Sequence, residues 1–158
     1  MALPKIDTPS YQLELPSNQQ VVKYRPFLVR EQKILMMAQE AENKEDTYNM
    51  LSDIVGGCTF NSIDIKTMPI FDFEYLFLKI RCKSVGETVE LSVLCPDDEK
   101  TRVPVTVNLD IVDVQVEDDH NNVIGVNDSI KIIMRHPTVG DIKSVDEAET
   151  LNNIMKLL

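Results

Sequence analysis

Phe71-Asp72-Phe73-Glu74-Tyr75-Leu76-Phe77-Leu78-Lys79-Ile80-Arg81-Cys82 is the most apolar segment of the chain. Phe73, Leu76, Phe77 and Ile80 recur at intervals of three and four, which places them on one helical face, with Tyr75 and Leu78 beside them. Asp72 stands at the start, and Lys79, Arg81 and Lys83 stand near the end, so each charge matches the adjacent pole of a helix dipole. Pro69 opens the segment and Gly86 is a stop signal. An apolar face this wide does not suit a surface helix, so residues 71–82 are predicted to form a central buried helix.

Upstream, two shorter periodic segments precede it. Ile34, Leu35, Met37, Ala38 and Ala41 fall at helical spacing after Glu31, an acidic residue suited to a helix N-terminus. Past the polar break Asn43-Lys44-Glu45, Tyr48, Leu51, Ile54 and Val55 share a second helical face, with Gly56-Gly57 as its expected stop. Together these make a helical hairpin. Val21 to Val29 reads as a strand interrupted by Pro26. The first residues carry Pro4, Pro9 and Pro16, which remove amide donors and disfavour helix. Tyr11, Leu13 and Leu15 alternate with polar residues there over one short strand, placed on the chain's own domain or on a neighbour's sheet.

Downstream the period changes to two. Val89, Leu91, Val93 and Cys95 alternate, Pro96-Asp97-Asp98-Glu99-Lys100 turns, and Val103, Val105, Val107 and Leu109 alternate again: a hairpin expected to have one buried face. Val112, Val114 and Val116 extend or follow it. His120-Asn121-Asn122 is a turn, and Ile130, Ile132 and Met134 face one way on a further strand, with an antiparallel meander as the simplest topology. Thr138-Val139-Gly140-Asp141 has capping-box spacing, with Asp in place of the usual Glu. Beyond Asp146, residues Ala148, Leu151, Ile154, Met155 and Leu158 form a helical stripe.

The pattern defines an α+β fold: a helical hairpin and a central apolar helix packed on a small antiparallel sheet. It divides into an extended N-terminal arm over residues 1–18, a single α+β domain over 19–142, and the start of a C-terminal helical region over 143–158. That last helix has no stop signal, so the natural chain is expected to continue.

Composition bounds function. A chain near 158 residues buries roughly 68–70% of its unfolded surface, enough for a core held by packing alone. Lys and Arg number 16 against 26 Asp and Glu, for a net charge of −10. The cations are scattered singly, whereas nucleic-acid affinity needs them clustered, so no nucleic-acid partner is expected. No run of 18 apolar residues occurs, so no membrane span is expected either. Cys58, Cys82 and Cys95 form no disulfide framework and read as reduced thiols in a cytoplasmic protein.

No chemistry emerges. His120 and His136 lie at turns without an orienting carboxylate motif. There is no GxxxxGK[ST], GxSxG or HExxH. The pairs Glu45/Asp46, Asp97/Asp98 and Asp118/Asp119 read as cap or turn residues. Cys95 precedes a tight turn as the first thiol of a zinc knuckle would, but a C-x₂-C partner is required and Asp98 stands there instead. No catalytic residue, metal or other cofactor is expected. Arg25 and Arg81 are candidates for specific interaction because guanidinium groups form bidentate pairs; an internal salt bridge is the simpler role for each.

Three blocks in order carry a family likeness: Tyr24-Arg25-Pro26-Phe27-Leu28-Val29-Arg30-Glu31-Gln32-Lys33-Ile34-Leu35, then Met68 to Leu78, then Arg81-Cys82-Lys83-Ser84-Val85-Gly86-Glu87. With the hairpin around Cys95-Pro96, this resembles T4-like phage baseplate hub and hub-assembly proteins over roughly Tyr11 to Ile142. Members of that family often carry a second cysteine at the hairpin turn, where this chain has Asp98, and they extend further. The resemblance implies a non-enzymatic component of a contractile phage tail, made in the host cytoplasm and found in the tail baseplate if retained. Its partners would be other baseplate and hub proteins, with a homo-oligomer also open. The alternatives are a transient hub-assembly chaperone or a cell-wall hydrolase. The expected contact residues are Arg25, Arg81, the strand residues Tyr11, Leu13 and Leu15, and the stripe of Leu151, Ile154, Met155 and Leu158.

Overall fold

The structure is a computed structural model that describes residues 8–40, 44–116, 121–127 and 129–144, without the side chains of 44, 45 and 142–144. The fold is α+β, with three α-helices and antiparallel strand pairs among the described residues. Strands β1 (Tyr11–Glu14) and β2 (Val21–Tyr24) form the first hairpin, with Leu13 opposite Val22 and Tyr11 opposite Tyr24. Leu15, Val22 and Tyr24 are buried. The segment bearing Tyr11, Leu13 and Leu15 therefore lies against its own domain.

Helix α1 (Val29–Glu40) starts two residues before Glu31. Glu31 Oε2 accepts the Leu28 amide at 2.9 Å, satisfying a donor that the helix leaves free. Helix α2 (Lys44–Cys58) runs through Gly56 and Gly57, which were expected to stop it. The reason is packing: a Cβ at Gly57 would lie 3.3 Å from Glu31 Oε1. A bare backbone lets the Arg25–Glu31 pair sit against the helix, and this close approach outweighs the weak helix propensity of glycine. The chain reverses instead at Phe60 and Asn61, both at positive φ.

Helix α3 (Ile70–Val85) contains the whole of the expected 71–82 segment. Phe73, Leu76, Phe77 and Ile80 are buried against Leu51, Ile54, Val55 and Cys58 of α2. Phe27 adds a ring 6.0 Å from that of Phe77. Asp72, fully buried in the first turn, accepts hydrogen bonds from the Ser17 amide at 3.2 Å and from its hydroxyl, joining the β1–β2 loop to the helix start. The helix ends at Gly86, whose φ of 136° no L-residue adopts readily.

The remaining strands form two further hairpins: β3 (Thr88–Leu94) with β4 (Arg102–Asn108), and β5 (Val123–Asn127) with β6 (Ile130–Ile133), the latter irregular between Gly125 and Asn127. The expected meander is not formed. The described strands make three separate two-stranded sheets. After β4 the chain is drawn onto α3: Leu109 is buried, and Lys79 Nζ donates to the carbonyls of Asp110 at 2.6 Å and Val112 at 3.1 Å. Those bonds hold residues 110–112 away from a third ladder position, so Val112 and Val114 follow β4 without extending it.

The chain then returns to the start of α3. Ile70 donates to the Pro137 carbonyl and Val139 to that of Met68. Asp141 Oδ2 accepts from the Thr138 amide, one of the two bonds expected of the Thr138–Asp141 cap, and also from the Thr138 hydroxyl, while the Asp141 amide donates to the Thr138 carbonyl at the entry of a 3₁₀ turn over Val139–Ser144.

Candidate interaction surface

Both candidate arginines sit among partners within the chain. Arg25 Nη2 lies 3.0 Å from Glu31 Oε1, and Nη1 donates to the Pro26 carbonyl at 3.0 Å. The side chains are 11% and 6% exposed. Burial opposes ionisation of Glu31, yet the hydrogen bonds from Arg25 and the Leu28 amide outweigh it and hold the carboxyl below its ordinary range. Arg81, also buried, donates from Nη1 to the Gly86 carbonyl at 2.8 Å and so closes the end of α3. Tyr11 and Leu13 are partly buried against the core, and Leu15 is fully within it. Leu151, Ile154, Met155 and Leu158 lie outside the described residues, as do Asp118, Asp119 and His120.

The titratable groups are arranged for structure. Burial pushes the Cys58 thiol up to about 12 and raises that of Cys82, so neither favours the thiolate that a nucleophile needs. Cys95 is half-buried at the hairpin end. Asp98 organises the β3–β4 turn: it accepts from the Thr101 hydroxyl and from the amides of Thr101 and Lys100, bonds that lower its carboxyl to about 2. His136 packs edge-on against Phe71, ring centroids 5.0 Å apart. Glu74 is the exception, with Oε1 buried and unpartnered among the described residues, and its carboxyl is raised by burial. Among the described residues no group of three or more His, Cys, Asp or Glu could hold a metal ion. No described helix is long and apolar enough to cross a membrane.

The unusual feature is apolar surface on the hairpins. Register places Val89 opposite Val107, Leu91 opposite Val105 and Val93 opposite Val103, so these six share one face of β3–β4. Alternation made this face legible in sequence, but a face patterned for burial is open: Val93 is 46% exposed, Val103 45% and Val105 40%. On β5–β6, Ile124 lies opposite Ile132 and both are exposed, as are Ile130 on the same face of β6 and Val126 at the irregularity of β5. Strand β5 was missed in the sequence, although Val123, Ile124 and Val126 between Asn121-Asn122 and Asn127 carried its signal. Contiguous exposed apolar surface on a folded body marks contact with another macromolecule.

Both hairpins of this α+β fold thus carry exposed apolar residues. The family model described as T4 bacteriophage base plate protein matches residues 8–158, and the chain belongs to that family. It is a phage baseplate protein, consistent with a structural role among other tail proteins. Comparison with curated proteins found no match, and comparison with solved structures found none either.

Proposed function

We propose that this baseplate protein acts by protein–protein binding in or on the hub of a contractile tail, with the apolar face of the β3–β4 hairpin as a contact surface. The observation that carries this is the exposure of Val93, Val103 and Val105 on a strand pair patterned for burial. Burying such a face against a tail protein removes apolar area from water, the main favourable term in association. The chain is assembled with its partners in the host cytoplasm. The stripe of Leu151, Ile154, Met155 and Leu158 is a second candidate contact, since an amphipathic segment with a methionine suits a partner's groove.

Mass analysis of purified virions, paired with a phage carrying Val105→Asp, tests this reading. Retention at a fixed copy number fits a structural hub subunit, and absence from finished particles makes the chain a transient hub-assembly chaperone. In either case Val105→Asp should leave the protein folded but reduce completed baseplates. Normal baseplates with the variant would refute the role of this face.

A further inference from the structure

The β3–β4 hairpin has one edge that can accept another strand and one that cannot. Leu109 donates to the Glu87 carbonyl and Cys95 to that of Thr101. With the observed register, these bonds fix the phase of the ladder: pairs 89/107, 91/105 and 93/103 are hydrogen-bonded within the hairpin. Thr88, Glu90, Ser92 and Leu94 therefore turn their amides and carbonyls outward along β3, and Arg102, Pro104, Thr106 and Asn108 do so along β4. Pro104 has no N–H, so the outer edge of β4 lacks a donor at its centre while the hairpin itself loses nothing. The β3 edge has no proline, lysine or bulge to protect it, and its four outward-turned residues are exposed.

We propose that β3 pairs antiparallel with β3 of a second copy of this chain, about a two-fold axis at Leu91. Only outward-turned residues can bond across the new ladder, which leaves few registers. Centring on Glu90 sets two carboxylates directly opposite each other, a destabilising pair. Centring on Ser92 leaves Thr88 without a partner. Centring on Leu91 pairs Thr88 with the partner's Leu94 and Ser92 with the partner's Glu90, so every outward position is used.

Charge selects the same register. Arg102 reaches across β3, with Nη1 3.2 Å from the Ser92 carbonyl. In the paired sheet, Ser92 faces the partner's Glu90 at the spacing of about 5 Å between adjacent strands. The guanidinium then stands within reach of that carboxylate, and symmetry makes two such pairs. The carbonyl's second lone pair takes the incoming amide, so Arg102 need not leave. The four-stranded sheet would join the apolar faces of both hairpins into one surface. This pairing does not depend on the hub reading.

Sedimentation of the full chain from micromolar to hundreds of micromolar tests the proposal. The wild type should show a reversible monomer–dimer equilibrium. Ser92→Pro copies the device at Pro104, removing an outward amide but no bond within the hairpin, and should weaken dimerisation about tenfold or more. Glu90→Arg should weaken it as well, and adding Arg102→Glu should restore it. Circular dichroism and melting check that each variant is folded; if Ser92→Pro is not, the charge swap decides alone. A wild type that stays monomeric throughout overturns the proposal, as does a dimer whose affinity none of these changes alters.

Discussion

Replacing Arg25 with methionine should expose how the largely buried Arg25–Glu31 pair, where the start of α1 meets Gly57 near the end of α2, supports the fold. The variant keeps most of the side-chain volume and removes the guanidinium, leaving the Glu31 carboxylate with backbone amides, those of Leu28 and of Glu31 itself, as donors. Hydrogen bonds to charged groups contribute about 1.5–3 kcal/mol, and breaking a buried pair from one side costs about 3–5 kcal/mol. Because Leu28 still donates and the pair is not wholly sealed from water, a loss of about 2–4 kcal/mol at neutral pH is expected from these terms. That is a large fraction of a domain's total stability.

The pH dependence supplies the sharper check. In the native protein the Glu31 carboxyl is held below its ordinary value of 4.5. It therefore contributes stability that is fully present above 4.5 and is lost as pH falls through the lower folded value. In Arg25→Met, burial faces less opposition and the carboxyl shifts upward, so acid protonates a group that is costly to keep ionised. The deficit relative to wild type should shrink on acidification. Urea titrations at neutral pH and below pH 4.5 measure both quantities. Arg25→Met with Glu31→Gln should be less destabilised at neutral pH than Arg25→Met alone, since no buried charge remains. A neutral-pH loss under about 0.5 kcal/mol, the scale of ordinary surface changes, would refute the reasoning. So would a deficit that does not change with pH.

Three further outcomes are expected. Leu76→Ala, at a fully buried position of α3, should cost about 2–5 kcal/mol in denaturant unfolding, and a negligible loss would place the core elsewhere. Gly57→Ala should destabilise by about 1–3 kcal/mol, against the gain usual for this change in a helix, because its Cβ meets Glu31; in a Glu31→Ala background much of that cost should disappear. Melting temperature should not respond to chelator, and purified protein should carry no stoichiometric zinc, since Asp98 is engaged by Thr101 and Lys100 in the turn.

The sequence announced α3 because its apolar residues repeat over three turns and its charges match the helix poles. Residues 89–95 and 103–109 were legible for the same kind of reason, a clean period of two around a turn cluster. Gly56-Gly57 misled because a glycine pair has two uses, ending a helix or admitting a close neighbour. Only the position of Glu31 in space tells them apart. Arg25 and Arg81 were singled out for partners because an arginine's donors are visible in sequence while the acceptors that engage them are not. Those acceptors include, for Arg25, a carboxylate six residues on and the next residue's carbonyl and, for Arg81, the carbonyl of Gly86.

The meander failed for a related reason, and the failure bears on function. Alternation states that a strand has an apolar face but not what covers it. Val89, Leu91, Val93, Val103, Val105 and Val107 read as core, and in a meander packed on α3 they would have been core. Lys79, however, holds the carbonyls of Asp110 and Val112, and the chain leaves the sheet before a third strand can join. A residue that interrupts the local fold thereby leaves a core-like face outside it. A pattern that satisfies burial but is not buried within its own described chain fits the proposed contact, in which a tail partner would cover it. If so, substituting Lys79 with methionine would free residues 110–112 and loosen the base of the hairpin. Hydrogen exchange of the β3–β4 amides would then rise while the α2–α3 core stayed protected. Unchanged protection at β3–β4 would mean that the hairpin is positioned by something other than this lysine.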